Sequence, residues 1–389
     1  MSEWKECKLG DVCEFQEGYV NPSQNFSEYF DGNIKWLRAT DLNNGNVYNT
    51  SRTLTEKGFL SAGKSAKLFK PNTIGISKSG TIGRLGILKD YMCGNRAVIN
   101  IAPSEKVNTQ FIYYNLLNRQ DQFEHLAVGS VQKNLYVPIL AELKIKLPPI
   151  QKQNEIASKL SALDDKIELN NQINRNLEEQ AQAIFKNWFI DFEPFGGEMP
   201  EDWQTGKLSD IAEYEKDKID VAKLNAETYY STENMLPNKA GVSKAASLPT
   251  TEQTTRCIPG ETIISNIRPY FKKIFYCTEE IAGCSTDVLC FKPKKESFSI
   301  YNYCLLYSDS FFDYMVKGSK GTKMPRGDKS QIMNYNVVIP TESVISDFNT
   351  VVSNILQQIS NNKKENECLA KLRDTLLPDL MSGEFSLST

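Results

Sequence analysis

The feature that most constrains this chain is a heptad seam that occurs twice. From Ile156 onward, mostly apolar positions are spaced alternately by four and three residues, and the same spacing returns 192 residues later, from Phe348 onward. Both seams carry two asparagines at the same steps, and one position differs in character, Ala181 against Arg373. A shared seam with shared interruptions indicates a duplication. The positions are Ile156, Leu160, Leu163, Ile167, Asn170, Asn174, Leu177, Ala181, Ile184 and Trp188, then Phe348, Val352, Ile355, Ile359, Asn362, Asn366, Leu369, Arg373, Leu376 and Leu380.

A seam of this kind is typical of a long helix packed against another helix. Each repeat predicts a helix of about 35 to 40 residues, roughly 50–60 Å long. Because the apolar stripe is narrow, each helix needs a partner, and its sequence duplicate is the nearest candidate. Asparagines in such a seam lower stability but fix the register of pairing. The alternative is two amphipathic helices, each docked on its own domain.

The duplication extends beyond the helices. Lys8–Phe15 recurs as Lys207–Tyr214, and Thr73-Ile74 recurs as Thr262-Ile263. Runs of β-branched and aromatic residues between Gly, Pro and Asn turns predict strands, with short helices among them. The fold class is therefore α+β, with two repeated mixed domains and two long helices. The expected segments are domain 1 (1–149), the first helix (150–198), domain 2 (199–340) and the second helix (341–389).

Composition narrows the possible functions. At 389 residues the chain suits two or more domains. No segment is apolar enough to cross a membrane, and nine cysteines without a C-x-x-C pair favour reduced thiols in the cytoplasm. A single histidine excludes a His-rich metal site. The net charge of −3 does not favour nucleic-acid binding, but the acidic excess lies in the helical segments.

One stretch fits the pattern of a phosphate-binding loop. Gly58–Ser65 reads G-x-x-x-x-G-K-S. A working loop of this class needs a buried strand before it and a helix after it, whose N-terminus holds the phosphates. Neither is predicted here, since the preceding residues are polar and Pro71 soon follows. The pattern therefore does not predict a nucleotide site, and no catalytic residues are expected in this chain.

Several polar loops have the composition of DNA-contacting segments and recur at matching places in both repeats. Arg reads guanine and Asn or Gln reads adenine, whereas Lys and small hydroxyls suit phosphates. Each loop by itself also fits ordinary solvated surface. The candidate DNA-binding residues are Lys78, Ser79, Thr81, Arg84, Asn95, Arg96, Gln132, Lys133 and Asn134 in domain 1, and Asn266, Arg268, Tyr270, Lys317, Lys320, Lys323 and Arg326 in domain 2.

Six motifs, together with the alternation of domain and helix, resemble the DNA specificity (S) subunits of type I restriction–modification systems. The resemblance covers essentially the whole chain. One departure is Thr341, where a second proline is common in the family. The motifs are Trp36–Leu42 (WLRATDL), Lys78–Gly83 (KSGTIG), Leu147–Gln151 (LPPIQ), Ala183–Phe192 (AIFKNWFIDF), Gly321–Lys329 (GTKMPRGDK) and Leu376–Glu384 (LLPDLMSGE).

The resemblance implies a non-catalytic subunit in which each domain recognises one half of a bipartite, asymmetric DNA site. The two helices would pair antiparallel as a coiled coil and set the gap between the half-sites. Two modification subunits would dock on this chain and bind S-adenosylmethionine, and two restriction subunits, which use ATP and Mg²⁺, would join them. This chain itself would bind no cofactor or metal. The competing hypotheses are a coiled-coil adaptor that never contacts DNA and a nucleotide hydrolase using Gly58–Ser65.

Overall fold

The computed structural model describes residues 4–129 and 133–383. Contacts divide the chain into two units. Unit 1 runs up to Asn170 and resumes at Lys364, and unit 2 is Asn171–Lys363. The boundaries fall inside the two long helices, so each helix contributes to both units. The four-segment division expected from the sequence remains a prediction.

Unit 1 is built on two main sheets and a two-stranded ribbon. The larger sheet has the order β2-β10-β7-β8-β4, the second has the order β5-β3-β9-β6, and β1 pairs with β11. Every residue of Ile74–Ser77 and Leu85–Leu88 is buried, as expected for central strands rich in Ile and Leu. The strands are β1 (Lys5–Lys8), β2 (Cys13–Glu17), β3 (Phe30–Leu37), β4 (Gly45–Val47), β5 (Thr53–Leu54), β6 (Leu68–Phe69), β7 (Ile74–Ser77), β8 (Leu85–Leu88), β9 (Met92–Gly94), β10 (Val98–Pro103) and β11 (Lys144–Leu147).

Unit 2 repeats this plan. Its first sheet has the order β13-β20-β17-β18, which matches β2-β10-β7-β8, and β12 pairs with β21 as β1 pairs with β11. The second sheet, β14-β16-β19-β15, contains one parallel pair, as does its counterpart. The strands are β12 (Gln204–Lys207), β13 (Ala212–Tyr214), β14 (Lys218–Asp220), β15 (Tyr229–Tyr230), β16 (Gln253–Cys257), β17 (Thr262–Ser265), β18 (Ile274–Tyr276), β19 (Ala282–Cys284), β20 (Val288–Pro293) and β21 (Asn336–Ile339).

Short helices cover the larger sheets, and several start on a side-chain cap. Asn108 and Ser308 each accept a hydrogen bond from the backbone N–H three residues later. The short α-helices are Glu56–Leu60, Thr109–Leu117, Gln120–Leu126, Val137–Ala141, Leu208–Ile211, Ser299–Tyr307, Asp309–Lys317 and Lys329–Met333. The 3-10 turns are Leu9–Asp11, Ser27–Tyr29, Ala39–Asp41, Gly63–Ser65, Glu193–Phe195, Val221–Lys223, Pro269–Phe271 and Glu296–Phe298.

The two long helices are Ile150–Phe189 and Glu342–Ser382. The first begins after Pro148-Pro149, because proline suits the start of a helix and cannot continue one from the strand. The buried Gln153 ties this start to neighbouring parts of unit 1: its amide donates to the Pro148 carbonyl (2.9 Å) and accepts from the Asn108 N–H (3.0 Å). At the other end Phe192 adopts a left-handed conformation that turns the chain away from the helix axis.

In unit 1 the two long helices run antiparallel. Leu160 of the first helix packs in the same core as Leu377 and Leu380 of the second. Asn170, which follows Leu160 in the first helix, donates to Asn366, which precedes Leu377 in the second (2.9 Å). Increasing numbers in one helix therefore meet decreasing numbers in the other, as an antiparallel pair requires.

Unit 2 shows the same pairing. Asn362 donates to Asn174 (2.8 Å), and the ring of Phe348 lies 4.9 Å from that of Phe189 and 5.9 Å from that of Trp188. None of the seam residues predicted to pair is exposed. The buried ones are Ile156, Leu160, Asn170, Asn174, Phe348, Val352, Ile359 and Asn362, and the half-buried ones are Leu163, Ile167, Leu177, Ile355, Asn366 and Leu369. The predicted fold class, two repeated mixed domains with an antiparallel helix pair, is confirmed.

Over residues 4–129 and 133–383, every helix is too short or too polar to span a bilayer.

Candidate nucleic-acid interface

In unit 1 the candidate residues of Lys78–Arg84 lie on the turn that joins β7 to β8. Ser77 holds this turn: its hydroxyl donates to the Thr81 carbonyl (2.5 Å) and accepts from the Arg84 N–H (2.8 Å). Gly80 and Gly83 have φ values of 78° and 84°, which other residues rarely adopt. The KSGTIG motif is therefore the sequence of a tight, self-supported turn.

A second segment, residues 18–21, lies against the loop that follows β9. The Gly18 N–H donates to Val98 and the Val20 N–H donates to Gly94. A Cβ on Gly18 would lie 2.1 Å from the Asn95 carbonyl oxygen, so only glycine allows this approach. The close contact brings Tyr19 beside the Asn95-Arg96 loop.

These segments surround an open cavity of about 410 Å³. Five of the predicted residues line it, namely Lys78, Ser79, Asn95, Arg96 and Asn134. The structure therefore brings together three loops that are far apart in the sequence. The other residues lining the cavity are Glu17, Gly18, Tyr19, Asn21 and Ala97.

The cavity combines basic, acidic and aromatic groups. Lys78 Nζ lies 3.1 Å from Glu17 Oε2, with both side chains mostly buried, and 5.9 Å from the Tyr136 ring centre. A hydrogen bond to Glu17 and its negative charge raise the pKa of the exposed Tyr19 above the ordinary value of 10, so its phenol is neutral near pH 7. Arg96 is exposed at the rim. The cavity therefore offers cationic donors, a phenol and amides, the groups that contact phosphates and base edges.

Not every candidate of unit 1 lines this cavity. Thr81 and Arg84 are exposed on the turn but do not line the cavity, and neither does Lys133, which is exposed next to Asn134. Gln132 lies outside the described residues.

In unit 1 the residue after β7, Lys78, is hydrogen-bonded to the loop after β9 and to the loop that contains Asn134, and we call this meeting point the corner. Unit 2 has a corresponding corner after β17. The Asn266 N–H donates to the Asp287 carbonyl (2.9 Å), as the Lys78 N–H donates to the Ala97 carbonyl (2.8 Å) in unit 1. The Asn266 carbonyl in turn accepts from the Gly327 N–H, as the Lys78 carbonyl accepts from Leu135. Asn266 thus takes the place of Lys78.

A β-bridge closes a matching loop in each unit, Val128 with Asn134 and Lys320 with Arg326. Arg326 occupies the place of Asn134, and its guanidinium lies 3.0 Å from the Asp287 carboxylate. Each corner therefore contains an ion pair, Lys78 with Glu17 in unit 1 and Arg326 with Asp287 in unit 2. The residues that form the two pairs do not stand at equivalent positions of the repeat.

The remaining candidates of unit 2 lie around this corner. Arg268, in a left-handed conformation, donates its backbone N–H to Pro325 (2.7 Å), which joins its loop to the loop of Lys323 and Arg326. Tyr270 is 48% exposed beside the partly exposed Phe271, as an aromatic contact surface would require. Lys320 lies 2.5 Å from Asp328. Lys323 is exposed within the loop, and Lys317 is exposed at the end of the helix Asp309–Lys317 without joining the corner.

Several buried polar atoms of unit 2 lack a hydrogen-bond partner among the described residues, and one of them, Asn266 Oδ1, lies at this corner. The Asn266 side chain is 8% exposed, and its Oδ1 accepts no hydrogen bond from them. A buried amide oxygen without a donor is costly, so its retention is consistent with a donor supplied from outside. The sequence did not single out Glu17, Tyr19, Asn21 or Asp287. Gly18, just before Tyr19, is the sequence signal that could have indicated a close backbone approach there.

The phosphate-loop pattern at 58–65 does not have the required geometry. Gly58 lies inside the short helix Glu56–Leu60, preceded by a strand of two residues, Thr53–Leu54. The Ser61, Ala62 and Ser65 N–H groups donate to backbone carbonyls, so they are not free to surround a phosphate. Among residues 4–129 and 133–383, no cluster of three or more His, Cys, Asp and Glu side chains could hold a metal ion.

Comparison with known proteins gives one family. The model of the type I restriction modification DNA specificity domain matches residues 1–179 and again residues 200–372. The MjaIX type I restriction enzyme specificity subunit of Methanocaldococcus jannaschii is 27% identical over 98% of this chain and 93% of its own length. The HindI specificity subunit of Haemophilus influenzae is 22% identical over 99% of this chain and the whole of its own.

A crystal structure of a type I restriction–modification S subunit from M. genitalium superposes with a TM-score of 0.56. It covers 98% of this chain and 96% of its own at 18% identity. At this identity the similarity bears on the fold alone.

Proposed function

This chain belongs to the family of type I restriction–modification DNA specificity subunits, and from that premise we propose that each of its two units reads one half of a bipartite, asymmetric DNA site. The chain supplies no chemistry of its own. It positions a modification enzyme, which methylates adenine, on the DNA that it has recognised.

The observation that carries this proposal is the corner repeated in both units. In each, the same backbone hydrogen bonds hold the loop after the central strand (β7 or β17) and the loop closed by a β-bridge. The side chains at the equivalent positions differ, Lys78 against Asn266 and Asn134 against Arg326. One scaffold that presents two different sets of donors suits two different half-sites.

The helix pair supplies the spacer in this proposal. Buried or half-buried amides join the helices in both units, Asn170 with Asn366 and Asn174 with Asn362. A slip of one residue would leave these amides against apolar groups, so the register is fixed. The length of the helix pair would then set the gap between the half-sites.

The partners follow from the same proposal. Double-stranded DNA with a bipartite site is the ligand, and two modification subunits, which bind S-adenosylmethionine, dock on the helices and domains. Two restriction subunits, which use ATP and Mg²⁺, complete the endonuclease. We place the assembly in the cytoplasm, where the DNA lies and where the nine cysteines, all free in this structure, stay reduced.

A domain exchange tests the proposal. Residues 1–149 are replaced by the first domain of a relative with a different site, and methylated adenines are mapped after assembly with the modification subunits. We expect one half of the site to change and the other half to stay. A change in both halves, or in neither, would refute independent reading by the two units.

A heptad insertion tests the spacer. Seven residues are inserted into each long helix near the asparagine pairs, so that the pairing is lengthened and the register is kept. The control inserts seven residues between Gly196 and Gly197, outside the helices. We expect a longer gap with unchanged half-sites in the first protein alone, and an unchanged gap there would contradict the spacer role.

A coiled-coil adaptor without DNA contact is the competing hypothesis. Gel shifts with and without modification subunits, at several salt concentrations, separate the two. Specific binding that weakens steeply with salt indicates phosphate contacts, which an adaptor does not make.

A further inference from the structure

One seam position breaks the repeat, and the structure gives it a partner. Arg373 stands where the first helix has Ala181. In unit 1, Arg373 Nη1 lies 2.6 Å from Asp164 Oδ1, and both side chains are 19% exposed. Tyr114 donates its hydroxyl to the other carboxylate oxygen of Asp164 at 2.7 Å. A mostly buried, hydrogen-bonded ion pair therefore joins the first helix to the second.

The repeat-equivalent pair in unit 2 is apolar. Asp164 corresponds to Leu356, and Arg373 corresponds to Ala181. Ala181 belongs to the core of unit 2 and Leu356 packs against it. Equivalent points of the helix pair thus carry an ion pair in unit 1 and two apolar side chains in unit 2.

The buried asparagines do not distinguish one helix from the other. Asn170 and Asn174 have counterparts Asn362 and Asn366, so every seam carries the same two amides. If a first helix paired in the same register with the first helix of another copy, Asn170 would meet Asn174. That contact is again amide to amide. The asparagines therefore fix the register but not the identity of the partner.

Asp164 and Arg373, unlike the asparagines, would lose their mutual contact if a helix paired with the same helix of another copy. In a pair of first helices, Asp164 would face Ala181, and in a pair of second helices Arg373 would face Leu356. Each charge would then stay partly buried and lose its counter-ion on the other helix, which is unfavourable. Tyr114 and Asp374 would accompany their own helices, so the interaction lost is that between Asp164 and Arg373.

We propose that Asp164 and Arg373 select the partner of each long helix, so that the first helix pairs with the second helix of the same chain and not with the same helix of a second copy. This goes beyond the reading of a DNA site. It keeps the two different units together and prevents assemblies with two identical units.

Single substitutions in the full-length chain reproduce the disfavoured contacts. Arg373→Ala leaves Asp164 facing alanine, as in a pair of first helices, and Asp164→Leu leaves Arg373 facing leucine, as in a pair of second helices. The double variant copies the apolar pair of unit 2. We expect each single substitution to raise the unfolding equilibrium constant about 30-fold, and the double variant to stay within about 3-fold of the wild type. Additive effects would overturn the proposal.

A partner-exchange assay measures the selection directly. A protease site is inserted between Gly196 and Gly197, which are exposed with φ values of 87° and 84°. The folded chain is cut there, and copies carrying different mass tags are mixed in urea just below the unfolding midpoint. Native mass spectrometry then counts complexes of unlike and like halves.

For the wild type we expect complexes of unlike halves only, and for Asp164→Leu/Arg373→Ala a shift toward the statistical 1:2:1 mixture. The control is Lys166→Gln, which removes an exposed ion pair with Glu365 at 3.3 Å between the same helices and should leave the distribution unchanged. The proposal is wrong if the cut wild type forms pairs of like halves at the statistical ratio, or if the double variant selects as strictly as the wild type.

Discussion

Glu261 makes the stability of unit 2 depend on pH in an unusual direction. This side chain is 1% exposed and lies at the start of the strand that leads to Asn266. Its Oε2 accepts from the Ile258 N–H (2.9 Å) and from the Cys290 thiol (3.0 Å). Burial, and then the nearby Glu215, raise the pKa of Glu261 from 4.5 to about 7 despite these donors.

The neighbouring carboxyl shifts in the opposite direction. Burial would raise the pKa of Glu215, but the Asp217 N–H, a hydrogen bond from Glu261 and the ammonium of Lys292 outweigh it, and the pKa falls to about 2. Glu215 is therefore the ionised carboxyl of the two, and Glu261 is the one that keeps its proton below about pH 7. The two carboxyls act in different pH ranges, because Glu215 loses its stabilising effect only as the pH falls from about 4.5 through 2.

The sign for Glu261 follows from linkage. The folded state binds its proton up to about pH 7, whereas the unfolded state releases it near 4.5. Its contribution is therefore complete below pH 4.5 and is lost as the pH rises through 7. A difference of about 2.5 in pKa corresponds to ~3 kcal/mol at about 1.4 kcal/mol per unit.

Urea unfolding followed by circular dichroism from pH 5 to 8.5 measures this effect. Because glutamine does not titrate, we expect the free energy of unfolding of Glu261→Gln, relative to the wild type, to rise by roughly 2–3 kcal/mol over this range. Glu280→Gln, at an exposed loop position, is the charge-matched control and should show no such trend. A constant difference between Glu261→Gln and the wild type would refute the reasoning.

Three further predictions concern the helix pair and the candidate interface. Asn174→Leu should cost about 1–3 kcal/mol in urea unfolding, because it removes the acceptor of the buried Asn362 side-chain N–H group, and Asn174→Leu/Asn362→Leu should regain most of this loss. Lys78→Ala should weaken DNA binding of the complex with modification subunits and reduce the slope of log binding constant against log salt concentration by about 1. Lys67→Ala, at an exposed position outside the cavity, should change neither the affinity nor the slope. Lys64→Ala should leave DNA methylation by the assembled complex unchanged, and lost methylation would restore the nucleotide hypothesis.

The sequence was sufficient for the architecture because the repeat constrains it. The seam from Ile156 and its copy from Phe348 predicted two helices and their pairing, since period and interruptions repeat together. The strands Ile74–Ser77 and Thr262–Ser265 lie in runs of β-branched residues, the pattern from which strands were predicted. Such patterns depend on residues that are close together in the sequence, so they can be recognised without a structure.

The sites depend on contacts between distant segments, which such patterns do not contain. Glu17 meets Lys78 only because β2 and β7 both pair with β10. Arg373 looked like a flaw in the second seam, and its role became visible only with Asp164 opposite it. In both cases the sequence supplied one charged residue, and the fold supplied the counter-ion.

The way the loops are held explains how two repeats can diverge in what they bind. The corner of each unit is fixed by backbone groups, the N–H and carbonyl of Lys78 in one and those of Asn266 in the other. Because these bonds do not depend on the side chain, a lysine and an asparagine occupy the same place without loss of the scaffold. Counter-ions diverge as well: Glu17 pairs with Lys78, whereas Asp287 pairs with Arg326 from the bridged loop. Duplication thus preserved the frame, and substitution at a few side chains was enough to give the equivalent corners of the two units different charged groups.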